Sequence, residues 1–267
     1  MSCVTLLTDF GIQDGNTAFI KAVLMSHISH NTPIVDISHS VEPFNVQQAA
    51  YLLRSNFNIF PVNTFHLVPI NVFYDKHPQL ILGKVQDHFI LAPNNGILQF
   101  FVRHLPGDYW VIHTMDESES FKNWLKVCAQ TIHVLSQHPE HIDNFFKLES
   151  LQPLPLTKPD FGKIHTHISC EIIHIDRYEN LVLDITRDEF EQYAQGRPFR
   201  IQLIGTFNTN KIVNRYADVE PGQVLSRFNH AGFLEIAINK GNAATLLGFS
   251  LAKQRSLFKH HIQIVFE

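Results

Sequence analysis

The stretch LQPLPLTKPDFGK, residues 151–163, carries three prolines and separates two parts of the chain with different hydrophobic rhythm. Proline lacks a backbone N–H and has a fixed φ, so a segment this rich in it sits poorly inside a helix or a central strand. It reads as a linker at 151–163, with one domain at 1–150 and another at 164–267.

Before the linker, strand-like and helix-like segments alternate. Cys3–Leu7 is a short apolar run. From Asn16 to about Ile28 the spacing predicts a helix with Phe19 and Val23 on its apolar side. Thr32–His39 reads as a strand, with Pro33 ahead of it and Asp36 near its end. Asn45 looks like an N-cap with Gln48 three residues on, and Val46, Ala49, Ala50 and Leu53 follow at helical spacing. Residues 63–70, 78–85, 88–98 and 109–114 read as further strands, the third broken by the turn chemistry of Pro93-Asn94-Asn95-Gly96. Phe121, Trp124, Leu125, Cys128, Ile132 and Leu135 then step by threes and fours, as in a helix. Such alternation predicts an α/β domain with a largely parallel central sheet, whose strand C-terminal ends line a ligand crevice. After the linker the rhythm changes to short β-rich runs at 165–176, 180–185, 199–207, 223–228, 232–238 and 260–266. They predict a smaller, mostly antiparallel, all-β domain of barrel or sandwich type.

Composition removes several functional classes. The chain is 45% hydrophobic and 17% charged, with a formal net charge of -4 and no long run of one sign, so the basic footprint of a nucleic-acid binder is absent. Cys3, Cys128 and Cys170 are far apart and odd in number, which gives no disulfide framework and no CxxC knuckle and favours a reducing compartment. No signal-type segment opens the sequence and no run is long and apolar enough to span a bilayer, so a cytoplasmic protein away from membranes is expected. The 17 histidines include the pairs His27/His30, His138/His141, His165/His167 and His260/His261. HExxH is absent and no pair falls in a known ligand order, so no metal is expected.

Three stretches carry candidate chemistry. In LLTDFGIQDGN, Asp9 stands at the end of an apolar strand, aimed either at a ligand in the crevice or at capping the next turn or helix. In IDRYENL, Asp176, Tyr178 and Asn180 alternate; on a strand they share one face and offer a carboxylate, an aromatic ring and an amide. A plain solvent face of an antiparallel sheet has the same pattern. In Gly232–Phe249, a strand runs into Asn239-Lys240-Gly241-Asn242-Ala243-Ala244, which suits either close backbone approach to a ligand or a tight turn into a short helix.

In order, the blocks TDFG (8–11) with Asp14, DISH (36–39), FPVNTFH (60–66), APNNG (92–96), HIDRYENL (174–181), YADVEPGQVL (216–225) and GFLEIAINKGNAATLLG (232–248) span nearly the whole chain. This order resembles the S-adenosylmethionine hydroxide adenosyltransferase family, relatives of the fluorinating and chlorinating enzymes that use the same substrate. The resemblance implies an N-terminal α/β domain, a barrel-like C-terminal domain and a homotrimer. It implies S-adenosylmethionine as ligand, lying between the N-terminal domain of one subunit and the C-terminal domain of the next. It puts the grip on Asp9, Phe10, Asp176, Tyr178, Asn180 and Asn239. Asp9 would hold the ribose diol, Asp176 the methionine ammonium, Tyr178 the adenine face and Asn180 the adenine edge, with the Asn239 block completing the adenosyl pocket. Tyr178 and Glu179 stand where the family has Phe and Gly.

The reaction implied is attack of a nucleophile on the 5′ carbon with methionine leaving. In the hydroxide-transferring members an Asp, an Arg and a His are proposed to activate water. Here Asn71 stands for the Asp, Pro78 for the Arg and Lys122 for the His. Asn71 cannot act as a base, Pro78 has no charge, and Lys122 is a poor substitute for imidazole near neutral pH. Asp75, Lys76 and His77 lie in the altered loop and would rebuild a charged triad in a shifted register. The expectation is an S-adenosylmethionine-binding protein whose hydrolysis to adenosine and methionine is weakened or lost. The rivals are a non-catalytic nucleoside or S-adenosylmethionine sensor, a metal-dependent hydrolase built on the histidines, and a structural trimer without a pocket.

Overall fold

The computed structural model describes residues 3–102, 105–151, 159–161, 166–203, 207–249 and 261–267. Most of the proline-rich stretch, and His165 and His260 of the histidine pairs, lie outside the described residues. The chain divides into two compact units, Met1–Leu156 and Thr157–Glu267.

The first unit runs β1 (Val4–Leu7), α1 (Asn16–Met25), β2 (Ile34–Ser38), α2 (Val46–Asn56), β3 (Phe65–Leu67), β4 (Gln79–Val85), β5 (His88–Pro93), α3 (Ile97–Val102), β6 (Gly107–Thr114), α4 (Phe121–Gln137) and β7 (Phe146–Lys147). The sheet order is β2-β1-β3-β5-β4-β6-β7. β1 pairs parallel with β2 and β3, and β3 with β5. β4 joins β5 and β6 antiparallel, and β7 closes that edge antiparallel. Only Gln86 and Asp87 connect β4 to β5, with Gln86 at φ 52, and a link that short permits a hairpin but no crossover. The parallel expectation therefore holds for β2-β1-β3-β5, and the rest of the sheet is antiparallel.

All four residues of β1 are buried, as expected of a central parallel strand. Leu6, Leu67, Leu82 and Leu91 of the sheet share one core with Ile20 and Leu24 of α1 and with Trp124, Leu125, Cys128 and Ile132 of α4. The Asn45 side chain caps α2 by accepting from the Gln48 N–H at 2.9 Å, as its position predicts.

The second unit runs β8 (His167–Ile175), β9 (Leu181–Thr186), α5 (Arg187–Ala194), β10 (Phe199–Gln202), β11 (Asn208–Thr209), β12 (Val224–Phe228), β13 (Phe233–Ile238), α6 (Ala243–Leu246) and β14 (His261–Phe266). Its sheet order is β11-β10-β14-β8-β9-β13-β12, with every strand pair antiparallel. The ends nearly meet. Ile212, just past β11, bridges to Ser226 of β12, the Val213 N–H donates to the Ser226 carbonyl at 2.8 Å, and Ser226 Oγ donates to the Lys211 carbonyl at 2.8 Å. The sheet is a nearly closed barrel, which removes most of the exposed strand edge.

The sequence pattern predicts only β-rich runs here, and the structure adds the helix α5 between β9 and β10. Its signal is the capping box Thr186-x-x-Glu189: Thr186 Oγ1 accepts from the Glu189 N–H at 3.4 Å, and Glu189 Oε2 accepts from the Thr186 N–H at 2.9 Å. Among the described residues no helix is long and apolar enough to cross a membrane.

Candidate functional site

The C-terminal ends of β1, β2 and β3 lie along one edge of the first unit, because Val4 is in register with both Ile34 and Phe65. The Thr8 N–H donates to the Ser38 carbonyl at 2.9 Å and the Gly11 N–H to the His39 carbonyl at 2.7 Å, so the loop after β1 is laced to the end of β2. Thr8 Oγ1 lies 2.8 Å from His39 Nδ1, His39 Nε2 lies 3.2 Å from Asp36 Oδ1, and Lys21 Nζ lies 2.7 Å from Asp36 Oδ2. Burial pushes Asp36 up, but its Lys21 and His39 partners outweigh this and hold the carboxyl below its ordinary value.

This lacing delivers Asp9 to a cavity of about 270 Å³ lined by Asp9, Phe10, Phe44, Pro69, Asn71, Val72, Phe73 and Phe121. Asp9 is not the cap of α1; the N-cap position is Gly15, and just ahead of it Asp14 Oδ1 accepts from the Asn16 N–H at 3.2 Å. Asp9 Oδ2 instead accepts from the Phe44 N–H at 2.8 Å and braces the loop ahead of α2, where Phe44 sits at φ 64. Burial raises the Asp9 pKa, and the Phe44 bond only partly offsets it. Among the described residues no side chain bonds to Asp9, so the carboxylate keeps acceptor capacity for hydroxyl groups.

Asn71 reaches the same cavity on a loop clamped from below. Asn95 Nδ2 donates to the carbonyls of Ile70 at 2.8 Å and Asn71 at 3.2 Å, and Asn94 Nδ2 donates to Gln79 Oε1 at 2.9 Å. Asn71 itself is left-handed at φ 48, a conformation Asn tolerates better than most residues. The Pro93–Gly96 turn, legible in sequence only as a turn, is thus the anchor of this loop. Phe121 opens α4 and meets Phe10 edge-on, with ring centroids 5.4 Å apart.

The cavity therefore unites Asp9, Phe10 and Asn71. Lys122 is exposed on α4 and is not among the lining residues. Pro78 is buried, its carbonyl accepting from the Met115 N–H at 3.0 Å, and also lies outside the lining. Asp75, Lys76 and His77 are exposed and stay outside it too, with His77 Nδ1 3.3 Å from the Met115 carbonyl. Phe44, Pro69, Val72, Phe73 and Phe121 were not singled out as site residues. Their only sequence signal is apolar character, which core residues share.

In the second unit one expectation is corrected. Asp176, Tyr178 and Asn180 do not share a strand face; they form the turn between β8 and β9. Asp176 Oδ1 accepts from the N–H groups of Tyr178 at 2.9 Å and Asn180 at 2.8 Å, and Oδ2 accepts from Asn180 Nδ2 at 2.9 Å. The physical reason is the affinity of an Asp side chain for backbone N–H groups two and more residues ahead, which competes with extended structure. Glu179 completes the reversal at φ 62. The family resemblance puts glycine there, the residue that takes positive φ without steric cost. Glu179 keeps the shape and adds bonds: its carboxylate accepts from the Thr245 N–H at 2.9 Å and from Asn242 Nδ2 at 3.3 Å, tying the turn to α6. Tyr178 is left 77% exposed, whereas Asn180 is buried.

Asn239, at the end of β13, donates from Nδ2 to the Val219 carbonyl at 2.7 Å, and its carbonyl accepts from the Gly222 N–H at 2.7 Å. It pins the segment before β12 to the barrel. A Cβ on Gly241 would meet Ile238 Cγ2 at 2.6 Å, so this glycine serves the tight turn after β13. Sequence reasoning missed a buried polar group nearby. Tyr216 donates its hydroxyl to Glu235 Oε1 at 2.7 Å, and the Arg227 guanidinium lies 4.7 Å from the Tyr216 ring centre. Burial raises the Glu235 pKa, helped by the charge of Asp176, and burial with the Glu235 contact pushes Tyr216 up to about 12. The available signal was an Arg and a Glu on neighbouring strands, which the register places directly opposite, Arg227 to Glu235.

The two units describe a protein of α/β-plus-barrel type, with a desolvated carboxylate just past a strand end in the first and an aspartate-built turn in the second. Residues 4–140 match the SAM hydroxide adenosyltransferase N-terminal domain and residues 170–255 the C-terminal domain of the same description. The chain belongs to the SAM hydroxide adenosyltransferase family, as the order of its motifs implies. It is 26% identical over 254 residues to the (R)-S-adenosyl-L-methionine hydrolase of Methanocaldococcus jannaschii, covering 92% of each chain. It is 24% identical over 267 residues to the (R)-S-adenosyl-L-methionine hydrolase of Thermus thermophilus, covering 93% of this chain and 96% of that one. Among solved structures, an uncharacterized conserved protein from Thermotoga maritima matches with a TM-score of 0.79 and 25% identity, covering 98% of this chain and 99% of that one. A conserved hypothetical protein from Thermus thermophilus matches in fold with a TM-score of 0.71 at 20% identity, covering 100% of both.

Proposed function

We propose that this chain binds S-adenosyl-L-methionine through the Asp9 cavity and hydrolyses it to adenosine and methionine slowly or not at all. The (R)-sulfonium epimer, which the names of its relatives specify, is the form to test first. One observation carries the reading: among the described residues lining the cavity, Asp9 is the ionisable side chain and Asn71 the other polar one.

Hydrolysis forms a bond from water oxygen to the 5′ carbon, breaks the bond from that carbon to sulfur, and releases methionine as a neutral thioether. The water must be held about 3–3.5 Å from the carbon and must lose a proton. Asn71 can orient a water but cannot take that proton. Asp9 is already engaged with Phe44 and is assigned here to the ribose hydroxyls. The rings of Phe10, Phe44, Phe73 and Phe121 exclude bulk water and present faces that favour a sulfonium cation. Asn71 equally favours a second reading, a non-catalytic sensor of the same ligand. The proposal extends the grip to Asp176, Tyr178, Asn180 and Asn239 and includes a homotrimer, which sedimentation checks.

Incubation with each epimer, followed by chromatography for adenosine and methionine, tests the reaction. Turnover on the order of 1 per second or more would reject weakened catalysis. Binding without product after long incubation selects the sensor. No calorimetric response to S-adenosylmethionine or adenosine overturns both readings. Asn71→Asp, which restores a carboxylate at the substituted position, is expected to raise the rate.

A further inference from the structure

We propose that His138, Glu140 and His141 form a site for one zinc-type divalent ion at the far end of α4 from the cavity. α4 buries Trp124, Leu125, Cys128, Ala129, Ile132 and Leu135 against the sheet and stops at Gln137, because Pro139 cannot continue it. A short 3₁₀ segment, Pro139–Asn144, follows. His138 is the N-cap of that segment, and the His141 N–H closes a turn onto the His138 carbonyl at 3.1 Å, which brings the two side chains to one side. The two imidazoles therefore stack, with ring centres 5.1 Å apart and planes at 21°. Glu140 Oε1 stands 3.3 Å from His138 Nδ1. One ligand atom from each of the three side chains lies within 4.8 Å of the others.

A tetrahedral ion bound at about 2.0–2.1 Å needs ligand atoms roughly 3.3–3.4 Å apart. The His138–Glu140 pair is already at that spacing, and rotation of exposed side chains closes the rest. Two imidazoles and one carboxylate suit zinc-like ions and disfavour magnesium and calcium, which take oxygen ligands. With three protein ligands the fourth position is left to water. The helix has 17 residues, so at 1.5 Å each its two ends lie about 25 Å apart, with Phe121 at the cavity and His138 just past the other end. The ion would clip the end of α4 to the 3₁₀ segment and take no part in chemistry at Asp9, so the inference stands apart from the proposed function.

The test uses full-length protein, stripped with chelator and titrated with Zn²⁺ against a chromophoric competitor. One ion per chain at micromolar affinity is expected, with a rise in the thermal midpoint and, on Co²⁺ substitution, the absorption of a tetrahedral site. The double variant His138→Ala/His141→Ala is expected to weaken binding by at least about tenfold and to abolish the thermal shift. Glu140→Gln should weaken it less. Unchanged affinity in the double variant, or no stoichiometric binding by the unaltered protein, overturns the proposal.

Discussion

Asp9 accepts one backbone hydrogen bond, from Phe44, whereas Asp176 accepts three, from two backbone N–H groups and the Asn180 amide. Both follow a strand, and both lie near a non-glycine residue at positive φ, Phe44 in one unit and Glu179 in the other. The difference lies in what each carboxylate has left. A carboxylate has about four lone-pair sites, and Asp176 commits three of them to its own turn. Asp9 is desolvated, raised in pKa and lightly bonded, which leaves acceptor capacity for the ligand proposed above. Asp176 shapes its own turn, and Asp9 keeps most of its acceptor capacity.

The largest expected effect concerns a weakness the two regions share. His66, on β3 and 2.7 Å from Thr5 Oγ1 of β1, is pushed down to about 3 by burial and by His88. His174, two residues before Asp176, is pushed down to about 4 by burial. Both folded values lie below the ordinary 6.5, so the unfolded chain takes up these protons first. The stability these groups contribute is complete above 6.5 and is lost as pH falls through the folded values, by up to about 1.4 kcal/mol per pH unit for each group. Urea melts at a series of pH values check this, and His66→Asn should flatten the profile of the first unit. Stability that stayed constant down to about pH 4.5 would contradict it.

Next come the aspartates themselves. Asp9→Ala is expected to weaken binding of the adenosyl ligand by about 1–3 kcal/mol with little loss of stability, as read by calorimetry. Asp176→Ala should cost about 1–3 kcal/mol of stability, because two N–H groups lose their acceptor, and should affect ligand through the loosened turn. If the two variants exchanged these signatures, the contrast would be reversed.

A smaller effect separates shape from bonding at the turn. Glu179→Ala keeps the strained φ and loses the bonds to Thr245 and Asn242, so its thermal midpoint should fall. Glu179→Gly also loses the bonds but relieves the strain, and should fall less. The smallest change is Asp9→Asn. With its folded pKa raised, ionised Asp9 disfavours the folded state once pH exceeds its ordinary 3.8, so Asn should raise the neutral-pH melting temperature slightly while weakening ligand binding. A melting temperature that fell would show that the Phe44 bond outweighs desolvation.

Much of this was legible in sequence where the signal is local. The Asn45 cap, the apolar steps of α4 and the strand that ends at Leu7, just ahead of Asp9, each depend on residues a few positions apart. The family's motif order was legible too, and the matches to both of its domains bear it out. The turn at Asp176 was misread because alternation of side chains looks the same on a strand and in a turn that an Asp side chain closes. The capping box at Thr186 was readable and was passed over among β-rich runs.

By itself, then, the chain's sequence determined two kinds of unit, most of their elements, and the identity of the carboxylates. Only the tertiary structure decided which side chains surround them. The cavity takes Asp9, Phe44, Asn71 and Phe121 from four separate segments, held by bonds such as Asn95 to Ile70 and Asp9 to Phe44. Such contacts join residues 25 to 35 positions apart in the chain, and they form only when a packed sheet brings strand ends to one edge, so no local pattern announces them.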